Sequence, residues 1–177
     1  DLAGLTAFLH IKNYSGKILG IKQLSFTVEN KLNIPDEEIF LNFSKTVKTE
    51  IKQVEKLNVN CFFHSDIKGF IEFYNKFAAM RNIDLCSENS LAEMGRYLQL
   101  SYAVYNNQTV AAHSYMVDEE SGIVRLMHSA SERLNENYDK QLSGKINKLL
   151  HYTDMLNFKK AGFAIYDFGG YTNNTED

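Results

Sequence analysis

The feature that most restricts the fold of this chain lies in its last third. A strand-like run, "GIVRLMHSA" (122–130), is followed by the helix-like stretch "GKINKLLHYTDMLNFKKA" (144–161) and then directly by a second strand-like run, "FAIYDF" (163–168). In the helical stretch Ile146, Leu149, Leu150 and Thr153 recur at the spacing of one inward face. Ser143 stands where an N-cap belongs, and Gly162 where a helix stops. A strand, a crossover helix and a second strand make a right-handed unit, so the two strands should run parallel.

Upstream, the runs "LQLSYAVY" (98–105), "QTVAAHSYMV" (108–117) and 122–130 are separated by short polar turns. Asn106 and Asn107 tolerate the positive φ of a tight hairpin, and "DEESG" serves the next connection, which predicts an antiparallel meander. Residues 5–12 and 17–28 also have strand composition. Pro35, followed by Asp36, Glu37 and Glu38, starts a helix running through "EIFLNFSKTVKTEIKQVEKL" (38–57), with a break near Ser44 and an apolar face of Val47, Ile51, Val54 and Leu57. A second helix begins with Asp66 as N-cap and buries Ile67, Phe70, Ile71, Tyr74, Phe77 and Ala78; a third, shorter one fits "NSLAEMGRYL". The expected fold class is therefore α/β: a mixed, mostly antiparallel sheet flanked by helices, with a parallel strand-helix-strand crossover near the C-terminus.

At 177 residues with 44% hydrophobic residues the chain supports one sizeable core, so a single domain over 1–177 is expected. The net charge of -3 gives no overall reason to bind DNA. No apolar run reaches bilayer length, and "DLAGLTAFLHIKNYSGK" lacks the basic start of a signal peptide. With only Cys61 and Cys86, at no metal or disulfide spacing, a reduced cytoplasmic location without membrane insertion is expected. The five histidines are dispersed, so no metal site is expected.

Four groups of residues are candidates for function. Ser129, Ser131, Ser143, Gly144 and Lys145 stand at the end of one strand and the start of the crossover helix, where unpaired N–H groups can hold an anionic donor. Lys45, Lys48, Lys52 and Lys56 recur every three or four residues, a stripe suited to an anionic substrate as well as to plain solvation. His128 can act as a base near a strand end, and Tyr115 or Tyr152 can donate a proton to a leaving group. Asp167, at the exit of a buried strand before Gly169 and Gly170, either contacts substrate or braces the turn.

Two segments resemble a known family. "EEIFLNFSKTVKTEIKQVEKLNV" is similar to the early "NFSK" helix of the FemAB-like proteins of the GNAT acyltransferase superfamily, and "GKINKLLHYTDMLNFKKAGFAIYDFGG" is similar to their late helix and the strand ending in "YDFGG". "FIEFYNKFAAMRNI" and the meander fall in the matching order, so the resemblance spans Leu32 to Tyr171. It implies a GNAT-like sheet in which two parallel strands splay apart around an acyl donor, here 122–130 and 163–168. It also implies attack by an amine, or less often a hydroxyl, on a thioester or aminoacyl ester, with the oxyanion held by backbone N–H groups.

The donor implied is acyl-CoA or aminoacyl-tRNA, used as a co-substrate with no permanently bound cofactor. The acceptor implied is a small, anionic amino sugar or cell-envelope precursor. The loop "ERLNENYDKQLSGK" lacks the Arg/Gln-x-x-Gly-x-Gly/Ala pyrophosphate motif, and the long helical hairpin that contacts tRNA in some relatives is missing. Relatives continue into further strands past "YDFGG", so a domain short of its last strands is one expectation. The other functional expectation is a non-catalytic ligand- or partner-binding module on the same fold.

Overall fold

The three runs of the meander form the centre of the sheet. In a computed structural model that describes residues 26–171, they are β3 (Leu98–Tyr105), β4 (Gln108–Asp118) and β5 (Ile123–Ser131), all paired antiparallel. Asn106 and Asn107 take φ of 51° and 61°, the left-handed pair of a two-residue hairpin. The predicted strand at 5–12 lies outside the described residues. From the 17–28 run the described part opens β1 (Phe26–Lys31). The edge strand β2 (Asn60–Phe63) was not anticipated, because four residues are too few to show a period.

The early helix is broken as expected into α1 (Asp36–Leu41) and α2 (Lys45–Val54), with Ser44 capping α2 by accepting from Val47 N–H at 3.3 Å. Asp66 likewise caps α3 (Ile67–Arg81), and the third stretch is the short α4 (Glu88–Ala92) followed by a 3-10 turn. The crossover helix α5 (Lys140–Lys160) differs at its start. Its cap is Asp139, whose carboxylate accepts from Gln141 N–H and Leu142 N–H, so Ser143 lies inside the first turn rather than before it. Gly162, at φ 94°, follows the helix end as anticipated.

The last strand is β6 (Ile165–Tyr171), and the sheet order is β1-β6-β5-β4-β3-β2. Among the described residues only the β5–β6 pair is parallel, as the crossover requires. Alternation along β4 assigns the helices to opposite faces. Ala112 packs with Phe70 and Tyr74 of α3, whereas Ala111 packs with Ile51 and Val54 of α2 and with Ile146 and Leu150 of α5. Tyr115, Val117, Val124 and Tyr166 meet Met155 and Phe158 farther along α5. Ion pairs from Lys148 to Glu50 and from Lys159 to Asp36 tie α5 to α2 and α1.

Gly169 permits the closest approach between β5 and β6. A Cβ there would lie 2.8 Å from the Leu126 carbonyl oxygen, and its φ is +80°. Gly170 has neither restriction. Gly169→Ala should therefore cost about 1–3 kcal/mol in urea unfolding, while Gly170→Ala should stay within about 0.5 kcal/mol of the parent. Equal midpoints for the two variants would contradict the close approach.

Candidate active site

β5 and β6 pair over three positions only, Ile123–Ile165, Val124–Tyr166 and Arg125–Asp167. Beyond these, β5 continues along β4 to Ser131, while β6 continues along β1 to Tyr171. Because each strand keeps its outer partner, the two must separate after Leu126 and Gly169. On β5 this point carries a bulge: Ser114 faces His128 and Tyr115 faces Leu126, leaving Met127 as the extra residue, 45% exposed. The result is a cleft with, among the described residues, an unpaired strand edge on each side.

Asp167 holds the closed end of this fork. Its Oδ2 accepts from Arg125 Nε at 2.9 Å across the parallel pair, and its Oδ1 accepts from Gly169 N–H at 2.8 Å and from the Thr27 hydroxyl. The residue is 5% exposed with both oxygens engaged, which is the turn-bracing alternative for this residue rather than the substrate-contacting one.

Below the fork, between the sheet and α5, lies a buried polar network that the sequence did not reveal. Asp154 Oδ2 accepts from Ser101 Oγ at 2.7 Å and Tyr115 OH at 2.6 Å, and lies 3.1 Å from His113 Nδ1. The Tyr115 hydroxyl is 2.8 Å from that of Tyr166, which is 2.8 Å from His151 Nδ1. The His113 and His151 rings stack at 4.0 Å, and His113 Nε2 lies 3.0 Å from Asn147 Oδ1.

The signal that could have exposed this network is the polar series Ser143, Asn147, His151 and Asp154. These residues recur at spacings of four and three along the face of α5 that the apolar pattern turns inward. Burial pushes the Tyr115 and Tyr166 hydroxyls well above their ordinary range, with Asp154 adding to it. Burial, and after it the neighbouring His113, holds His151 well below the usual imidazole value.

Tyr115, expected on the substrate side, is wholly buried in this network and has no exposed surface with which to contact a ligand. His128 lies on the other face of the sheet, against Tyr74 (4.8 Å between rings), with Nδ1 2.7 Å from Ser114 Oγ; burial lowers its pKa. It is three residues before the end of β5, apart from the network. Tyr152 packs among Phe40 and Phe43.

Ser129 pairs with His113 on β4, and Ser131 ends β5. Ser143 is buried with no partner for its hydroxyl among the described residues, and Gly144 and Lys145 are half-buried. The N–H groups expected to hold an anion are occupied: Asp139 accepts those of Gln141 and Leu142 with its side chain and that of Ser143 with its carbonyl. A phosphate at this helix start would meet a carboxylate. In the lysine stripe, Lys45 is exposed, Lys48 Nζ donates to the Leu41 carbonyl at 3.0 Å, and Lys52 Nζ lies 5.5 Å from the centre of the Phe40 ring.

An open cavity of about 500 Å³ lies on the α3 face at the end of β5, lined by Phe73, Phe77, Lys76, Ser131, Glu132 and their neighbours. Burial, then Asp154, raises the Cys61 thiol to about 12, which removes it as a nucleophile near neutral pH. Among the described residues no His, Cys, Asp and Glu side chains are grouped to hold a metal ion, and no helix is long and apolar enough to cross a membrane.

This arrangement, a mixed sheet with, among the described residues, one parallel pair that opens into a cleft over a crossover helix, is a GNAT-like fold. No family model and no curated protein matches the sequence. Among solved structures, FemX superposes with a TM-score of 0.69 at 12% identity, covering 85% of this chain and 54% of FemX. The C-terminal domain of an Agrobacterium fabrum protein described as a lysylphosphatidylglycerol synthetase gives 0.60 at 10% identity, covering 82% and 46%. L-PGS from Bacillus licheniformis gives 0.58 at 10% identity, covering 87% and 48%. The chain thus spans about half the length of each.

The lowered His151 and His128 imply a pH dependence of stability. Below the ordinary value of 6.5 the unfolded chain takes up protons at these imidazoles that the folded chain refuses. Stability should then fall as pH drops through that window, by at most about 1.4 kcal/mol per pH unit for each group. Above it both states are neutral and the contribution vanishes. Urea midpoints should be level from about pH 8 to 7 and decline below about 6.5, less steeply in His151→Gln. A variant as steep as the parent would count against it.

Proposed function

We propose that this chain is an acyltransferase domain that holds an acyl donor between β5 and β6 and transfers the acyl group to an amine or hydroxyl of a small acceptor. The fork carries this reading. Its unpaired strand edges offer backbone N–H and C=O groups to an extended donor, and the bulge at Met127 supplies donors without a ladder partner at the closed end. Fixing the two reactants in such a slot supplies much of the rate by orientation alone. The fold neighbours support the class, one of them being named for lysylphosphatidylglycerol synthesis, an aminoacyl transfer.

Between the two donor types, the Asp139 cap favours an aminoacyl ester, such as aminoacyl-tRNA, over coenzyme A. The helix start that would receive a pyrophosphate already presents a negative charge. The acceptor is an anionic amino sugar or cell-envelope precursor approached by the α2 lysines, in the cytoplasm.

Thermal shifts with acetyl-CoA, coenzyme A, aminoacyl-tRNAs and nucleotide sugars test the reading, since a ligand selective for the native state raises Tm. A donor that shifts Tm, together with an acylated acceptor in the mass spectrum, is expected. No shift and no product across the panel would sink it and leave a non-catalytic binding module. Exchanging Lys48 and Lys52 for Ala should weaken binding of an anionic nucleotide sugar. The stability loss should be only about 1 kcal/mol, from a lost carbonyl contact and a cation–π pair. Unchanged binding would reduce the stripe to a solvated face.

A further inference from the structure

The proton positions in the buried network follow from counting donors. Tyr115 gives its one hydroxyl proton to Asp154, and Ser101 gives its own to the same oxygen. His113 Nε2 lies 3.0 Å from the Asn147 side-chain amide. His113 Nδ1 faces Asp154 Oδ2 and a Tyr115 oxygen whose proton is already committed, which fits the Nδ1–H tautomer. His113 and Asp154 are thereby held together in the interior.

His151, stacked 4.0 Å away, is held toward its neutral form by burial and, after it, by the neighbouring His113. Its Nδ1 has the Tyr166 hydroxyl as partner, and its Nε2 has none among the described residues. The ring lies against Phe168 (5.3 Å), the residue before Gly169, and so sits beneath the closed end of the fork on the α5 side.

We propose that His151 is the acid–base residue of this cleft, with Tyr166, Tyr115 and Asp154 as the path that takes up its proton. The proposal rests on the acyl-transfer reading. As the acceptor amine bonds to the acyl carbon, His151 Nε2 takes the proton that the amine releases. An imidazolium at His151 is unfavourable, because burial and the neighbouring His113 both oppose it. The Nδ1 proton therefore passes to Tyr166, the Tyr166 proton to Tyr115 and the Tyr115 proton to Asp154, each group giving up one proton as it receives one. When the bond to the leaving oxygen or sulfur breaks, the sequence reverses and Nε2 returns a proton to that atom. Acyl ester or thioester plus amine gives amide plus alcohol or thiol, with no proton left over. The charged and titratable groups facing His151 are His113 and Tyr115 on β4, Tyr166 on β6 and Asp154 on its own helix; Arg125 and Asp167 are paired with each other at the fork.

p-Nitrophenyl acetate tests this without the natural donor, because an accessible neutral imidazole releases p-nitrophenolate from it. The 177-residue chain should react faster than the same concentration of free imidazole. His151→Gln should lose at least about tenfold, and the exposed His64→Gln should keep the parent rate. Tyr166→Phe, which deletes one oxygen, should change the pH profile of the rate, an effect that a merely structural role would not produce.

Nitrogen-15 NMR of the histidine rings, which does not depend on a variant folding, should show His151 neutral at pH 7. A His151→Gln rate equal to the parent, or an imidazolium at His151, would overturn the proposal. Failure of every natural donor to bind while the His151-dependent reaction persists would remove the donor assignment and keep the base. Natural turnover undiminished in His151→Gln would do the opposite.

Discussion

A carboxylate buried at Asp154 is the constraint around which the rest of the structure is arranged. Without water, such a charge is tolerated only with partners. Its partners come from three separate elements: Ser101 on β3, and His113 and Tyr115 on β4, with Tyr166 of β6 joined through Tyr115. α5 must therefore cross the sheet at one height and one rotation. The apolar residues on either side, Ile146 and Leu150 toward α2 and Met155 and Phe158 toward Tyr115, pack in the register that the polar contacts set. Hydrophobic burial supplies most of the favourable energy of such a core, but it is non-directional; the network makes the placement unique.

The same placement links fold to function. Tyr166 can reach Tyr115 only if β6 lies beside β5 at its start, and the parallel pair is short because β5 stays with β4 while β6 stays with β1. The fork opens directly after the residues that anchor it, Arg125 and Asp167 from above and Tyr166 from below. Gly169 allows the strands to close tightly at that point, so the cleft begins abruptly. The proposed acyl transfer would use this cleft for orientation and the network beneath it for moving one proton.

The candidate residues read from sequence separate according to whether their signal was local. Asp66, Ser44, Asn106 and Asn107 were legible because capping and tight turns are decided within a few residues. Ser143 was misplaced as a cap because Asp139, four residues earlier, offers a stronger acceptor and lengthens α5 by a turn. His128 stood out for its closeness to a strand end, yet its ring packs against α3, on the face away from Asp154. Tyr115 was chosen as a proton donor to substrate; its hydroxyl instead belongs to the interior.

What the sequence by itself determined is the order and type of most elements, the mixed sheet with its parallel crossover, and the resemblance that placed the cleft between 122–130 and 163–168. Those depend on periodicity, turn chemistry and chain connection, which are local or topological. Only the tertiary structure decided that His113, His151 and Asp154 form one cluster, that Asp167 is spent on Arg125, Thr27 and Gly169, and that the start of α5 is already capped by a carboxylate. Each depends on which side chains from distant segments point into the same space, and a pattern along one strand or helix gives the face of a residue but not its partner across it.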